Sequence, residues 1–190
     1  AVETLPPAPR KRYRHTAAAY KNVIFFIGGR DDNEDSLVAA IDIFDTEAGA
    51  WADTGLTLPE EKQRSDLTSF VIDDIIYVVA GYNPDYTVTT ETYSIDPAAS
   101  LKEEMLVTAT QGSINVGRGD TQAAIVGDKA YLVGGFTHED QWCNALDTVE
   151  AFDVSKDAWT EVSGMQYARG DKAVVSVGDR LVVIGGEANT

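Results

Sequence analysis

Four arginines, Arg12, Arg64, Arg118 and Arg169, stand at near-equal intervals, and the last three each have an aspartate two places on: Asp66, Asp120 and Asp171. A cation repeated evenly over one surface is equipment for anions, because guanidinium groups hold carboxylates through paired, charge-assisted hydrogen bonds. If the arginines form such a docking ring, Tyr82, His138 and Trp142 are the side chains of neighbouring loops that would complete it. The opposite reading is structural: each arginine is neutralised by an acid of its own or the adjacent repeat. Recurrence in every repeat favours that reading.

Other candidate chemistries are weaker. Arg118-Gly119-Asp120 and Arg169-Gly170-Asp171 spell the cell-adhesion tripeptide, yet Arg64-Ser65-Asp66 fills the same slot without glycine, so repeat register accounts for them. Asp31, Asn33, Asp35 and Asp42 fall at positions 1, 3, 5 and 12 of a calcium-loop pattern. Ser36 replaces the glycine that such a loop needs for its sharp turn, and the last ligand is Asp rather than Glu. These four are the best metal candidates in the chain, with a solvated acidic loop the preferred reading, and no cofactor is expected. Two histidines, His15 and His138, at unlike places in the repeat cannot by themselves build a copper site. No nucleophile–base constellation stands out, so the expectation leans against an enzyme.

Composition narrows the partners. The chain has 190 residues, 31 acidic against 15 basic, for a net charge of −16. That surface disfavours nucleic acid, whose phosphates need clustered lysine and arginine. No apolar run reaches spanning length, so no membrane insertion is expected. Cys143 is the single cysteine, which excludes an internal disulfide, and no Asn-x-Ser/Thr acceptor occurs. Both lean toward a reducing, cytoplasmic setting, with a piece of a secreted protein the alternative.

The elements that position these residues recur. Each arginine precedes the second residue of a Gly-Gly or Ala-Gly pair by 17 positions (29−12, 81−64, 135−118, 186−169), and the arginines lie 52, 54 and 51 apart. A period of about 50 residues marks a repeat architecture. Between arginine and glycine pair lie two apolar runs, at 15–20, 67–72, 121–126 and 172–177, then at 23–27, 75–79, 130–133 and 181–184. Polar dipeptides separate them (Lys21-Asn22, Asp73-Asp74, Gly127-Asp128, Gly178-Asp179), which predicts hairpins. The second runs are apolar without alternation and require cover on both faces.

A third strand is predicted over 41–45, 89–94 and 149–153, with an aromatic in register at Phe44, Tyr93 and Phe152 and an acid two places earlier at Asp42, Glu91 and Glu150. Trp51 and Trp159 open a fourth strand seven residues after Phe44 and Phe152 (51−44, 159−152), and Leu101 is assigned to that slot in the middle unit. Phe44, Trp51, Phe152 and Trp159 are expected in the core. With short, evenly spaced strands and no helical periodicity, the fold class is all-β.

Arginine, hairpin, double glycine, aromatic and tryptophan in this order resemble the kelch repeat, a four-stranded blade of a β-propeller. The resemblance implies three full blades over 12–57, 64–109 and 118–163, a partial blade over 169–190, and residues 1–9 as the outer strand of a preceding blade. Such a set reads as a propeller segment, its partner either a protein or the remaining blades. The resemblance also implies a loop face, built from the strand entries and from loops 30–40, 82–88 and 136–145, on which a non-catalytic interaction scaffold would dock. The alternative is the propeller portion of an enzyme similar to galactose oxidase or a sialic-acid mutarotase, with catalytic residues mostly outside this chain.

Overall fold

A computed structural model describes residues 4–32, 36–139 and 142–188. Its strands form three four-stranded antiparallel sheets and a final hairpin, a partial kelch-type propeller not closed into a barrel. The first blade runs β1 (Thr16–Tyr20), β2 (Val23–Ile27), β3 (Asp42–Asp45) and β4 (Ala50–Ala52), adjacent in that order. The second runs β5 (Thr68–Ile72), β6 (Ile75–Val79), β7 (Thr92–Ile95) and β8 (Thr108–Gln111). The third begins with β9 (Gln122–Val126) and β10 (Lys129–Val133). A separate hairpin follows, β11 (Phe136–Glu139) with β12 (Trp142–Ala145), and the blade resumes with β13 (Val149–Asp153) and β14 (Ala158–Val162). The last pair is β15 (Gly170–Val177) and β16 (Arg180–Glu187).

The hairpin chemistry is local. Asp73 and Asp74 both hold positive φ (52° and 64°), as the tightest two-residue turns demand. The double glycines obey a sharper rule. The first position sits near φ 50–70° and accepts Ala80 at 65°. The second reaches 89°, 104°, 106° and 87°, where side chains do not go. A Cβ at Gly81 would also stand 2.6 Å from the Ser65 carbonyl oxygen. Ala80 shows that the first position can take a side chain, although at Gly28 and Gly134 a Cβ would meet a backbone carbonyl oxygen at 2.6 and 2.5 Å, whereas the second position is glycine in every blade.

Blades stack through apolar faces. Phe25, Ile27 and Ile43 meet Ile76, Val78 and Tyr93 between the first and second blades. Phe70 and Tyr77 meet Phe152 and Trp159 between the second and third. Both faces of β6 are thus covered, which is why its sequence does not alternate.

Four expectations need correction. Leu101 does not take the tryptophan slot: Thr110 pairs with Tyr93 as Trp51 does with Phe44 and Trp159 with Phe152. Leu101 sits instead on α1 (Pro97–Glu103), a helix capped by the Asp96 side chain with proline at its first position, and packs on the first core. Residues 136–145 are not simply a loop, because β11 and β12 lie within them. Trp51 is only half-buried, packed on Phe26 and Phe44 with ring centroids 5.1 and 5.2 Å away. Thr4–Pro9 carry no strand, and Val2 and Glu3 lie outside the described residues.

Candidate functional site

The repeat arginines turn inward. Arg118 is fully buried; its guanidinium reaches the carbonyls of Gly134 (3.2 Å) and Thr148 (3.4 Å) and the Glu150 carboxylate (2.6 Å). Arg64 ties to Glu91 through backbone and carboxylate, with Lys62 on the other carboxylate oxygen. Arg12 binds the carbonyls of Phe26, Gly28 and Ala40 and the Asp42 carboxylate. Arg12 and Arg118 thus staple the second strand's end to the third, and all three arginines take the acid that precedes the third-strand aromatic, Arg64 through Glu91 alone with its buried Nε unpartnered. Burial lowers the pKa of all three, offset by Asp42 at Arg12 and by Glu150 at Arg118.

The arginine backbone works too: the carbonyls of Arg64, Arg118 and Arg169 accept from the second glycine of the preceding blade at 2.8, 2.8 and 3.0 Å. Arg12, Arg64 and Arg118 are committed to the fold and offer no open guanidinium to a partner. Arg169 is half-exposed, and its guanidinium donates to the Gly185 carbonyl at 2.8 Å.

The residue after each double glycine covers the next blade. Arg30 donates from Nε to the Ser65 hydroxyl at 3.1 Å. Tyr82 lies over Gly119, and Phe136 over Gly170, so that any Cβ there would enter the ring. The glycines of the two adhesion-like tripeptides are therefore spaces for aromatic rings, and Asp120 between them accepts from the Tyr82 hydroxyl at 3.0 Å. Tyr82, one of the side chains expected to complete a docking ring, is only 4% exposed.

Loop 82–88 is held rigid. Asn83 donates from its backbone to the Thr87 carbonyl (2.9 Å) and from its side-chain amide to the Thr87 hydroxyl (3.0 Å), and Asp85 accepts from that hydroxyl at 2.6 Å. The Arg30 guanidinium stacks 3.8 Å from the Tyr86 ring centre, and His138 Nδ1 lies 2.9 Å from the Tyr86 carbonyl oxygen. Three blades thus fix one loop. Its tip, Pro84, Asp85 and Thr87, is exposed. The Trp142 side chain lies outside the described residues.

A second polar group borders a cleft at the entries of the inner strands, where a closed ring would have its channel mouth. Arg14, Asp66, Asp120 and Asp171 take the same place in successive blades, with φ of 58°, 56°, 51° and 47°. They are chained by backbone hydrogen bonds, Asp66 to Arg14 (2.8 Å), Asp120 to Asp66 (3.1 Å) and Asp171 to Asp120 (3.2 Å). Burial and the neighbouring Asp66 carboxyl push Asp120 up to about 6, and burial with Arg118 nearby pulls Lys172 down to about 7.

The calcium-loop reading loses its geometry. Asp42 lies on β3 with its carboxylate on Arg10 (2.9 Å) and Arg12, while Asp31 accepts from the Ser36 hydroxyl at 2.7 Å. Asn33 and Asp35 lie outside the described residues, among which no cluster of metal-type ligands occurs. Sequence reasoning missed Arg14, Arg30 and Lys172. Arg14 was findable, since it stands two places after Arg12 as Asp66 does after Arg64.

The KLHDC2/KLHL20/DRC7 Kelch-repeats domain matches residues 1–189. Alpha-scruin of Limulus polyphemus is 22% identical over 92% of this chain and 19% of its own length. Kelch repeat and BTB domain-containing protein 1 of cowpox virus is 24% identical, over 99% of this chain and 31% of its own. Kelch-like protein 36 of Bos taurus is 27% identical, over 95% and 28%. This chain thus spans less than a third of these relatives. The solved structure of YjhT superposes with a TM-score of 0.75 at 21% identity, covering 96% of this chain and 59% of that one.

Proposed function

Because the chain belongs to the kelch-repeat family, we propose that it serves as part of a non-catalytic protein-interaction propeller docking through its loop face. One observation carries the reading: loop 82–88 is pre-ordered by Arg30 on one side and His138 on the other, with its tip exposed. Loops fixed on a rigid scaffold bind without an ordering cost. The repeat arginines support docking by holding the blades, while Tyr86 and His138 shape the surface. Affinity capture by the full chain tests this against Pro84→Arg and Pro84→Glu, at an exposed position outside the loop's hydrogen bonds, whose substitution leaves the melting temperature unchanged. Partners retained by the parent are lost from both variants; identical captured sets would overturn the reading.

A second reading, the propeller portion of an enzyme with catalytic residues mostly outside this chain, is favoured by the channel mouth. An acid near 6 and an amine near 7 in one cleft are the perturbed pair that acid–base catalysis uses. Anomer exchange of a reducing sugar acid, followed by proton NMR, separates the readings. Acceleration lost in Asp120→Asn supports the enzyme, and acceleration that Asp120→Asn leaves unchanged removes Asp120 and Lys172 as its acid–base pair.

Among the described residues no helix is long and apolar enough to cross a membrane.

A further inference from the structure

Once Asp120 is ionised, the three aspartates at the channel mouth leave a hydrogen-bonding demand that the chain itself does not meet. Asp66, Asp120 and Asp171 border a cleft of about 310 Å³ shared with Arg14, His15 and Lys172. The Asp66 side chain is 4% exposed, and its Oδ2 receives no hydrogen bond. Its Oδ1 has the Arg14 Nε at 3.5 Å, and the neighbouring Asp120 carboxyl shares a hydrogen bond with Asp66 only while Asp120 keeps its proton. Lys172 does not fill the gap, since its Nζ donates to the backbone carbonyl of Asp120 at 3.2 Å. A buried carboxylate oxygen without a donor is expensive, so the cleft favours an incoming donor with positive charge.

The form of that donor follows from the spacing. No described group of three acid, histidine or cysteine side chains is close enough to close around a metal ion. A planar guanidinium or an ammonium carries several donors and spans separate carboxylates. We propose that this cleft is a binding site for an organic cation, the guanidinium or ammonium group of a ligand, held by Asp66, Asp120 and Asp171. The inference stands on the cleft's geometry, whether the assembled propeller docks a protein or turns over a substrate.

A proton competes for the same place. Asp120 faces Asp66, Asp171, Arg14, Lys172, His15 and the Tyr82 hydroxyl, and its acid form persists to about pH 6. Isothermal titration of the full chain with methylguanidinium chloride and with the blocked peptide acetyl-Gly-Arg-Gly-amide tests the site. Near pH 8 at least one probe binds saturably. At about pH 5 only about one Asp120 in ten is ionised, so affinity falls roughly tenfold. Asp120→Asn weakens binding at pH 8 by a similar factor, and Asp171→Asn, at an exposed residue, does so with the fold intact. Tighter binding of the peptide assigns the cation to a partner's arginine; equal binding assigns it to a small free ligand. Either supports the site. No saturable binding by either probe, or unchanged affinity in both variants, would overturn it.

Discussion

Alanine at Gly119 probes how one blade is sealed onto the next. A methyl group there would stand inside the Tyr82 ring, with even the third-nearest ring carbon, Cδ2, only 2.7 Å away. Ordinary carbon contacts begin near 3.5 Å, so ring or backbone must move by at least about 0.8 Å (3.5−2.7). The ring has little room, being buried with its hydroxyl on Asp120 at 3.0 Å. Overpacking costs about 1–3 kcal/mol, and losing the hydrogen bond to a carboxylate adds about 1.5–3 kcal/mol. Gly119→Ala should therefore destabilise the chain by roughly 3–5 kcal/mol in urea unfolding. In a Tyr82→Ala background the obstacle is gone, and Gly119 has no positive φ to forbid a side chain. The same substitution should then be neutral or gain about 0.4–1 kcal/mol from the stiffer unfolded chain. The coupling energy of the cycle is thus about 3 kcal/mol or more. Equal costs in both backgrounds would refute the sealing role and reopen the adhesion-like reading of Arg118-Gly119-Asp120.

Trp159→Ala should cost roughly 3–5 kcal/mol, since the ring is buried on Phe152 and Phe70 and its Nε1 donates to the Thr92 hydroxyl at 2.9 Å. Trp51→Ala, at a half-buried ring, should cost less than half as much by the same unfolding assay. Asp120 is a carboxyl raised to about 6 in the fold, so the stability it contributes is present below its unfolded value near 4 and lost as pH rises through 6. Asp120→Asn should accordingly raise the melting temperature near pH 8 and leave it unchanged near pH 4, and an offset equal at both would contradict the assignment. Lys172 is lowered to about 7, so its stability is present above its unfolded value near 10.5 and lost as pH falls through 7. Lys172→Met should raise the melting temperature at about pH 6 more than at about pH 10.

The blade plan was legible because its determinants repeat. Arg118, Gly135, Glu150 and Phe152 each have counterparts at fixed offsets, and the acid two places before the aromatic is the partner the arginine takes. What lacked a counterpart was lost. The helix at 97–103 announced itself by Asp96 and Pro97, a cap and a first-turn proline, but strand periodicity in the other units masked it. The pairing of Tyr82 with Gly119 and of Arg30 with Ser65 joins residues 37 and 35 positions apart (119−82, 65−30) in different blades, so no single repeat displays it. The channel cleft is legible only once three blades are set side by side, since the sequence shows Asp66, Asp120 and Asp171 as one register position of three repeats but not as neighbours in space.

The central claim is that the repeat arginine belongs to the blade and not to a partner. Equilibrium unfolding of Arg118→Ala beside Arg169→Ala tests it most directly. Arg118 and Glu150 form a pair with side chains 0% and 1% exposed, and removing one member of a buried pair costs about 3–5 kcal/mol. Arg169 has one carbonyl contact and no acid within ion-pair reach among the described residues, so its loss should cost under about 1 kcal/mol. A large loss at Arg118 with little change at Arg169 is the predicted result. An Arg118→Ala chain that unfolds like its parent would contradict the account.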